Sequence, residues 1–287
     1  MAEFNYVACN NCGMDDASIV AVQRDFRYVK CRGCGLVYMN PRPDAGTLQD
    51  LYAAYHQRNG KDGSSWEVLM KENFRTVAQL LTNRFPSGGR LLDIGCGYGH
   101  FLEIMERKGW NVKGIDPSEH TVSYARKKGL NAVRTTVDEE PLPEETFHAV
   151  TMFYVLEHLL DPLAALKKIY LSLIPGGLAV IRVPHTTPLV RLLSILHIHN
   201  DLYDAPFHLY DFSPRTIRGL LARAGFSSNE VTPGEPTSPP LTAERIVSVL
   251  SGSSAKFLYK LSGGLLLLPG TSKTIYAFKQ EKGAKGL

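Results

Sequence analysis

The chain has 287 residues, 44% hydrophobic and 21% charged, with a formal net charge of +4. That is ordinary globular composition and excludes a chain disordered throughout. No apolar run approaches the ~20 residues that cross a bilayer, and the opening MAEFNYVACNNC lacks the basic start and apolar stretch of a secretory signal, so a membrane-spanning or small secreted protein is excluded and a cytoplasmic one expected.

Residues 1–43 read as a zinc ribbon. Cys9 and Cys12, then Cys31 and Cys34, form two C-x-x-C pairs with 18 residues between them. Each pair is a short turn offering two thiolates, and Ile19–Val22 and Arg27–Lys30 have the character of the two strands of a joining hairpin. Unrelated thiols, or a redox pair, would not need two such pairs within one short segment. Four cysteine ligands close a tetrahedron, so the metal is expected to be structural.

Asn40-Pro41-Arg42-Pro43-Asp44 ends the ribbon as a stiff link. Residues 44–87 are expected to form a helical linker or lid in two pieces, split near Asn59–Gly63 and broken at Pro86-Ser87-Gly88-Gly89. From residue 90 strands and helices alternate. Strands are expected at Arg90–Ile94, Val112–Ile115, Ala132–Arg134, Phe147–Phe153, Leu178–Val183, Phe226–Val231 and Lys273–Lys279. Between them fall helices at Gly99–Gly109, Pro117–Lys128, Pro162–Ile174 and Ser213–Ala224, punctuated by proline at their starts and glycine past their ends. Such alternation predicts an α/β domain over 88–287, a mainly parallel sheet with helices on both faces. Two stretches interrupt it, near 186–212 and 232–270; both are apolar in part, and each reads either as a lid over a site or as helical packing on the sheet edge.

Leu91-Leu92-Asp93-Ile94-Gly95-Cys96-Gly97-Tyr98-Gly99 places three alternating glycines directly after a strand and before a helix. Glycine there permits positive φ and close approach of a ligand to the backbone. Asp93 closes the strand, and Asp116 ends the next one, where an acid takes ribose hydroxyls in nucleotide folds. The spacing is G-x-G-x-G, not the dinucleotide G-x-G-x-x-G. A loop without Lys or Arg suits a ligand without phosphate. Cys96, with no base adjacent, reads as a small filler.

The segment resembles motif I of class I S-adenosylmethionine (SAM)-dependent methyltransferases. Phe147-His148-Ala149-Val150, followed by Val155-Leu156-Glu157-His158-Leu159, resembles that family's fourth-strand motif, and Pro175-Gly176-Gly177 its fifth-strand signature. The ribbon with its tail, Cys34-Gly35-Leu36-Val37-Tyr38-Met39-Asn40-Pro41-Arg42-Pro43, resembles the N-terminal zinc-binding segment of a bacterial branch of these enzymes. The family often has Asp where this chain has His148, and His148 is given no role. The resemblance implies a Rossmann-like, seven-stranded mainly parallel sheet and SAM as cofactor. It implies that Gly95, Gly97 and Gly99, with Asp93 beside them, approach the methionine part, that Asp116 holds the ribose, and that Thr136 and Val137 lie along the adenine. Tyr154 would pack on the methionine part or the acceptor.

A methyl transfer to oxygen or carbon needs a positioned acceptor and removal of its proton, most often by histidine. His158, His185 and His208 follow strand ends and are the candidates, with Glu157 as an orienting neighbour. The expected acceptor is a small molecule, a sugar or a lipid-linked glycan, methylated on O or C. Two other readings stand beside it. One is a zinc-ribbon RNA methyltransferase, against which the ribbon carries a charge of only +1 and lacks interleaved basic and aromatic residues. The other is a non-catalytic SAM-fold binding protein, against which the glycine loop and Asp116 are intact.

Overall fold

The computed structural model describes residues 3–59, 63–234, 259, 261–262, 272–281 and 283. Most of the second interruption, 232–270, therefore lies outside the described residues. In chain order the elements are β1 (Phe4–Asn5), β2 (Ala17–Gln23), β3 (Phe26–Cys31), β4 (Val37–Met39), β5 (Arg42–Pro43), α1 (Ala45–Asn59) and α2 (Gly63–Arg84). Then come β6 (Arg90–Ile94), α3 (His100–Glu106), β7 (Asn111–Asp116), α4 (Glu119–Lys127), β8 (Ala132–Arg134) and β9 (Phe147–Phe153). A 3-10 turn (Leu156–His158) leads to α5 (Pro162–Ser172), β10 (Leu173–Val183), α6 (Thr187–Ile195), β11 (Tyr210–Asp211), α7 (Pro214–Ala224), β12 (Ser228–Pro233) and β13 (Lys273–Phe278).

The main sheet has seven strands in the order β12-β13-β10-β9-β6-β7-β8. The pairs β10–β9, β9–β6, β6–β7 and β7–β8 are parallel, and β13 runs antiparallel to both its neighbours. This is the expected Rossmann-like architecture. Central β9 and β10 are buried on both faces, as parallel strands covered by helices must be. Helix ends follow local chemistry: Ser118 and Asp161 cap α4 and α5, and α7 starts with a Ser213/Thr216 capping box.

Most element boundaries shift by a residue or two from the sequence expectation, and three of the differences have a visible cause or extent. The helix expected to reach Ile174 stops at Ser172, because Leu173 already pairs with Phe147; β10 then bulges around Pro175-Gly176-Gly177 before rejoining β9 at Leu178. The strand expected from Phe226 begins at Ser228, because Phe226 is spent on the end of α7: its N–H bonds the Leu221 carbonyl and its buried ring lies 5.1 Å from that of Tyr170. Helix α3 ends at Glu106 rather than Gly109.

The ribbon's sheet has the order β11-β4-β3-β2, and its edge strand β11 comes from the C-terminal end of the first interruption. One apolar cluster runs from Tyr28, Leu36 and Tyr38 in the ribbon to Ile94, Met152, Ile181 and Phe212. Polar ties reinforce it: Asn10 donates to Asp161 (2.8 Å) at the start of α5, and Arg42 donates to the Leu160 carbonyl (2.7 Å). Over 186–212, α6 packs against β2, and Tyr203 stacks on Tyr28 with centroids 4.2 Å apart.

Candidate active site

Parallel pairing puts the C-terminal ends of β6, β7, β9 and β10 on one edge of the sheet. The glycine loop leaves β6 there. Gly95 has φ +73, and a Cβ on it would lie 2.3 Å from Val155 Cγ2, so no other residue fits between the loop and the segment after β9. At Gly97 (φ +52) a Cβ would meet nothing within 4 Å; the crest of the loop is open. The Gly95 and Cys96 N–H groups both donate to the Ile115 carbonyl, at 2.8 and 3.1 Å. Gly99, also at positive φ, caps α3. Cys96 is buried and packs on Gly114, with its thiol pushed up by burial, as a filler would be.

Asp116, at the end of β7, organises the loop. Its Oδ2 accepts from Gly97 N–H (3.0 Å); its Oδ1 accepts from Ser118 N–H (2.9 Å) and from the Thr121 hydroxyl (3.0 Å). A carboxylate has about four acceptor positions, so about one remains for a ligand hydroxyl. Asp93 sits one layer deeper. It is buried, accepts the Thr151 hydroxyl at 2.6 Å, and burial pushes its carboxyl up to about 7. Thr136 and Val137 follow β8, next to β7; Val137 is buried and its carbonyl accepts Lys168 Nζ (2.7 Å).

Tyr154 follows β9 at φ +58, a strained conformation for a side chain of that size. Its N–H bonds the Arg182 carbonyl (2.8 Å), and its hydroxyl accepts from Arg182 Nε (2.9 Å). Two residues of the next turn carry chemistry. Glu157 is fully buried, neither carboxyl oxygen has a hydrogen-bond partner, and burial pushes the group up to about 8. His158 Nδ1 lies 3.0 Å from the Phe207 carbonyl and 2.7 Å from the Tyr52 hydroxyl. A carbonyl only accepts, so Nδ1 carries the proton and Nε2 keeps its lone pair.

Of the three sequence candidates, the structure brings His158 and His208 together, with ring centroids 4.7 Å apart. Burial holds His158 down at about 3 and His208 at about 4. His185 instead meets Lys273, whose Nζ is 3.4 Å from its Nδ1 and also bonds the Pro184 carbonyl. Burial lowers both, His185 to about 4 and Lys273 to about 8. Sequence reasoning missed Tyr52, which reaches His158 from α1, and the buried Arg182 and Lys273; nothing in their spacing marks them. His148 packs on Gly89 and accepts Arg90 N–H (3.2 Å), near the start of β6 and away from this edge.

At the ribbon, Cys9 and Cys34 Sγ are 3.5 Å apart, Cys12 and Cys31 Sγ are 3.4 Å apart, and all four sulfurs lie within 4.8 Å of one another. Four thiolates around zinc stand about 3.8 Å apart, so these two pairs need open by only a few tenths of an ångström and the set fits that ion.

The methyltransferase domain family matches residues 66–231. The ubiquinone biosynthesis O-methyltransferase of Xanthomonas axonopodis pv. citri is 31% identical over 158 residues, 51% of this chain and 66% of that protein. The protein of the same name from Ruegeria pomeroyi is 34% identical over 154 residues, 50% of this chain and 62% of its own length. The chain thus spans less than two thirds of these curated relatives. Among solved structures, a SAM-dependent methyltransferase from Archaeoglobus fulgidus has a TM-score of 0.51 at 21% identity, covering 79% of this chain and 99% of its own. Phosphoethanolamine N-methyltransferase 2 of Haemonchus contortus, in complex with SAM, has 0.52 at 18%, covering 85% and 63%. These likenesses show the fold.

Proposed function

The chain belongs to the methyltransferase domain family, and from that premise we propose that it transfers a methyl group from SAM to an oxygen of a small-molecule acceptor. One observation carries the reading. Strand β6, which leads into the glycine loop, pairs with β7, which ends at Asp116, and with β9, which is followed by His158, and all three end on the edge where His158 meets His208. A donor anchored by the loop and an acceptor at the histidine pair would meet there, which converts an encounter into an in-line displacement.

Gly97, Asp116 and Tyr154 receive SAM in this reading, with Asp93 bracing the loop from below and Thr136 and Val137 beside the adenine. SAM supplies a methyl already activated on a sulfonium. This chain's residues do the rest: Asp116 fixes the ribose, the loop fixes the methionine part, and the histidine pair receives the acceptor hydroxyl and is where it loses its proton. The names of the relatives favour oxygen over carbon and a small molecule over RNA; a lipid-linked or sugar acceptor remains within the class. His185, held by Lys273, shapes the floor beside β10.

Cys9, Cys12, Cys31 and Cys34 hold one structural zinc. Residues 1–43 then form the ribbon, 44–87 a helical cover and 88–287 the SAM-binding domain. Thiolate ligands suit the reducing cytoplasm. Among the described residues no helix is long and apolar enough to cross a membrane.

Calorimetry with SAM and its demethylated product tests the binding half of the reading. Methyl-labelled SAM incubated with cell extract, followed by mass spectrometry of labelled products, tests the transfer. A protein that binds neither compound would overturn the proposal.

A further inference from the structure

We infer that Lys273 is a positioning residue: it holds His185 with the ring proton on Nε2, so that His185 serves the acceptor as a hydrogen-bond donor and the taking of the proton is left to His158. What His185 touches rests on the functional reading; the held ring stands on the side chains themselves.

Lys273 opens β13 and pairs with Val183 at the end of β10. It is 0% exposed, a state lysine almost never reaches unless paired. Among the described residues no carboxylate pairs with it. Its Nζ donates to the Pro184 carbonyl and lies 3.4 Å from His185 Nδ1. Burial pushes the amine down to about 8, which leaves it protonated at neutral pH. An ammonium has three hydrogens and no lone pair, so toward His185 it can only donate. Nδ1 therefore accepts. Burial, with the Lys273 charge beside the ring, holds His185 down at about 4, so the imidazole is neutral and its single proton sits on Nε2.

His158 is set the opposite way. Its Nδ1–H is spent on the Phe207 carbonyl at 3.0 Å, and Nε2 keeps the lone pair. Two neutral histidines following neighbouring strands thus offer opposite chemistry at the same ring atom. The His185 N–H is left for a ligand, since no acceptor meets it among the described residues. Asp211, whose charge acts on both His185 and His208, spends its oxygens on the Thr186 N–H, the Thr187 N–H and the Thr187 hydroxyl. His185 is 7% exposed, so a bound molecule can touch the ring but not the amine behind it.

A donor fixed before the acceptor arrives needs no reorganisation when it binds. In the transfer His158 Nε2 takes the hydroxyl proton, and an oxygen lone pair forms the new O–C bond. The methyl–sulfur bond breaks with its electron pair staying on sulfur. His185 neither gains nor loses a proton; it holds the acceptor in line.

The test is NMR of the full-length protein carrying ¹⁵N only in histidine. Long-range proton–nitrogen spectra separate a ring nitrogen that bears a proton from one that does not. The His185 signals are those lost in His185→Gln or, should that variant fail to fold, in His185→Asn. The parent should show His185 protonated at Nε2 and bare at Nδ1. Lys273→Met keeps the length of the side chain and removes the donor, so it should release the ring to the other tautomer or to a mixture. A lysine that merely fills space would leave the tautomer unchanged. His185 protonated at Nδ1 in the parent, or an unchanged tautomer in folded Lys273→Met, would overturn the inference; if Lys273→Met does not fold, as circular dichroism would show, the parent spectrum decides. With methyl-labelled SAM and cell extract, folded Lys273→Met should label product about three- to ten-fold more slowly while calorimetry finds its SAM affinity kept. Labelling at the parent's rate would overturn the donor role. A parent that binds no SAM but holds its proton on Nε2 sinks the methyltransferase reading and keeps the held ring; a parent that binds SAM with His185 bare at Nε2 does the reverse.

Discussion

Replacing Asp116 should break SAM binding and loosen the glycine loop together, because one carboxylate serves both. Three of its roughly four acceptor positions are used inside the protein, by Gly97 N–H, Ser118 N–H and the Thr121 hydroxyl. The remaining position is the one a ribose hydroxyl would use. A hydrogen bond to a charged group contributes about 1.5–3 kcal/mol, or about 10- to 150-fold in Kd. Asp116→Ala removes that bond and all three internal ones, so SAM affinity should fall at least ten-fold and the melting temperature should drop as well. Asp116→Asn is the finer probe. It can keep an oxygen toward Ser118 and Thr121, but it sets an NH₂ group against the Gly97 N–H, two donors facing each other. Affinity should therefore fall nearly as far as in the alanine variant, with a smaller loss of stability. Isothermal calorimetry with SAM and its demethylated product, beside thermal melts, separates the two effects. An alanine variant that binds both compounds within three-fold of the parent would refute the reasoning.

Metal analysis should find one zinc per chain at the ribbon, lost in Cys31→Ser/Cys34→Ser; since the ribbon and the main sheet share one apolar cluster, that variant should melt at lower temperature throughout rather than only over residues 1–43. His158→Ala and His208→Ala should each cut turnover by about 10²–10⁴-fold while SAM affinity is kept, read by steady-state kinetics beside calorimetry. His185→Ala, away from the pair and against Lys273, should cost less, and an equal loss would move the acceptor site toward β10. Asp93 gives a pH signature: its folded-state value of about 7 lies above the ordinary 3.8, so the stability it contributes is complete below about 4 and is lost as pH rises through 7. Asp93→Asn should therefore gain on the parent in melting temperature between pH 4.5 and 8, and parallel curves would count against that account.

The parts of the molecule written in short spacings were legible. Two C-x-x-C pairs, a glycine triplet after an apolar strand and the alternation of strand with helix each depend on neighbours along the chain. The sevenfold sheet and its loop follow from them. What stayed hidden depends on pairing across the fold. Val37–Met39 carries no alternation because all three side chains are buried, so β4 looks like a tail. Nothing near Tyr52 announces that its hydroxyl will meet a histidine more than a hundred residues on. His158 and His185 do follow strand ends, whereas His208, expected at one too, precedes β11 and reaches the edge from the segment after α6; only the tertiary structure separates the joined pair from the histidine against Lys273. Glu157 read as an orienting neighbour, since isolation of a carboxyl in a core cannot be seen in a string of letters.

The strand exchange between the ribbon and the rest of the chain bears on how the protein is made. Tyr38 and Val37 wait for Tyr210 and Asp211 before the ribbon's sheet has its last edge. While the chain leaves the ribosome, the amino-terminal hairpin can gather its thiolates early, yet β4 keeps an unpaired row of amides and carbonyls until most of the methyltransferase domain has emerged. That interval is when the nascent chain is open to edge-to-edge aggregation. It also means that the amino-terminal segment cannot be trimmed away cleanly: cutting after residue 43 strips β11 of its partner, bares Tyr203 and the backbone behind His208, and leaves an apolar face where the ribbon had been.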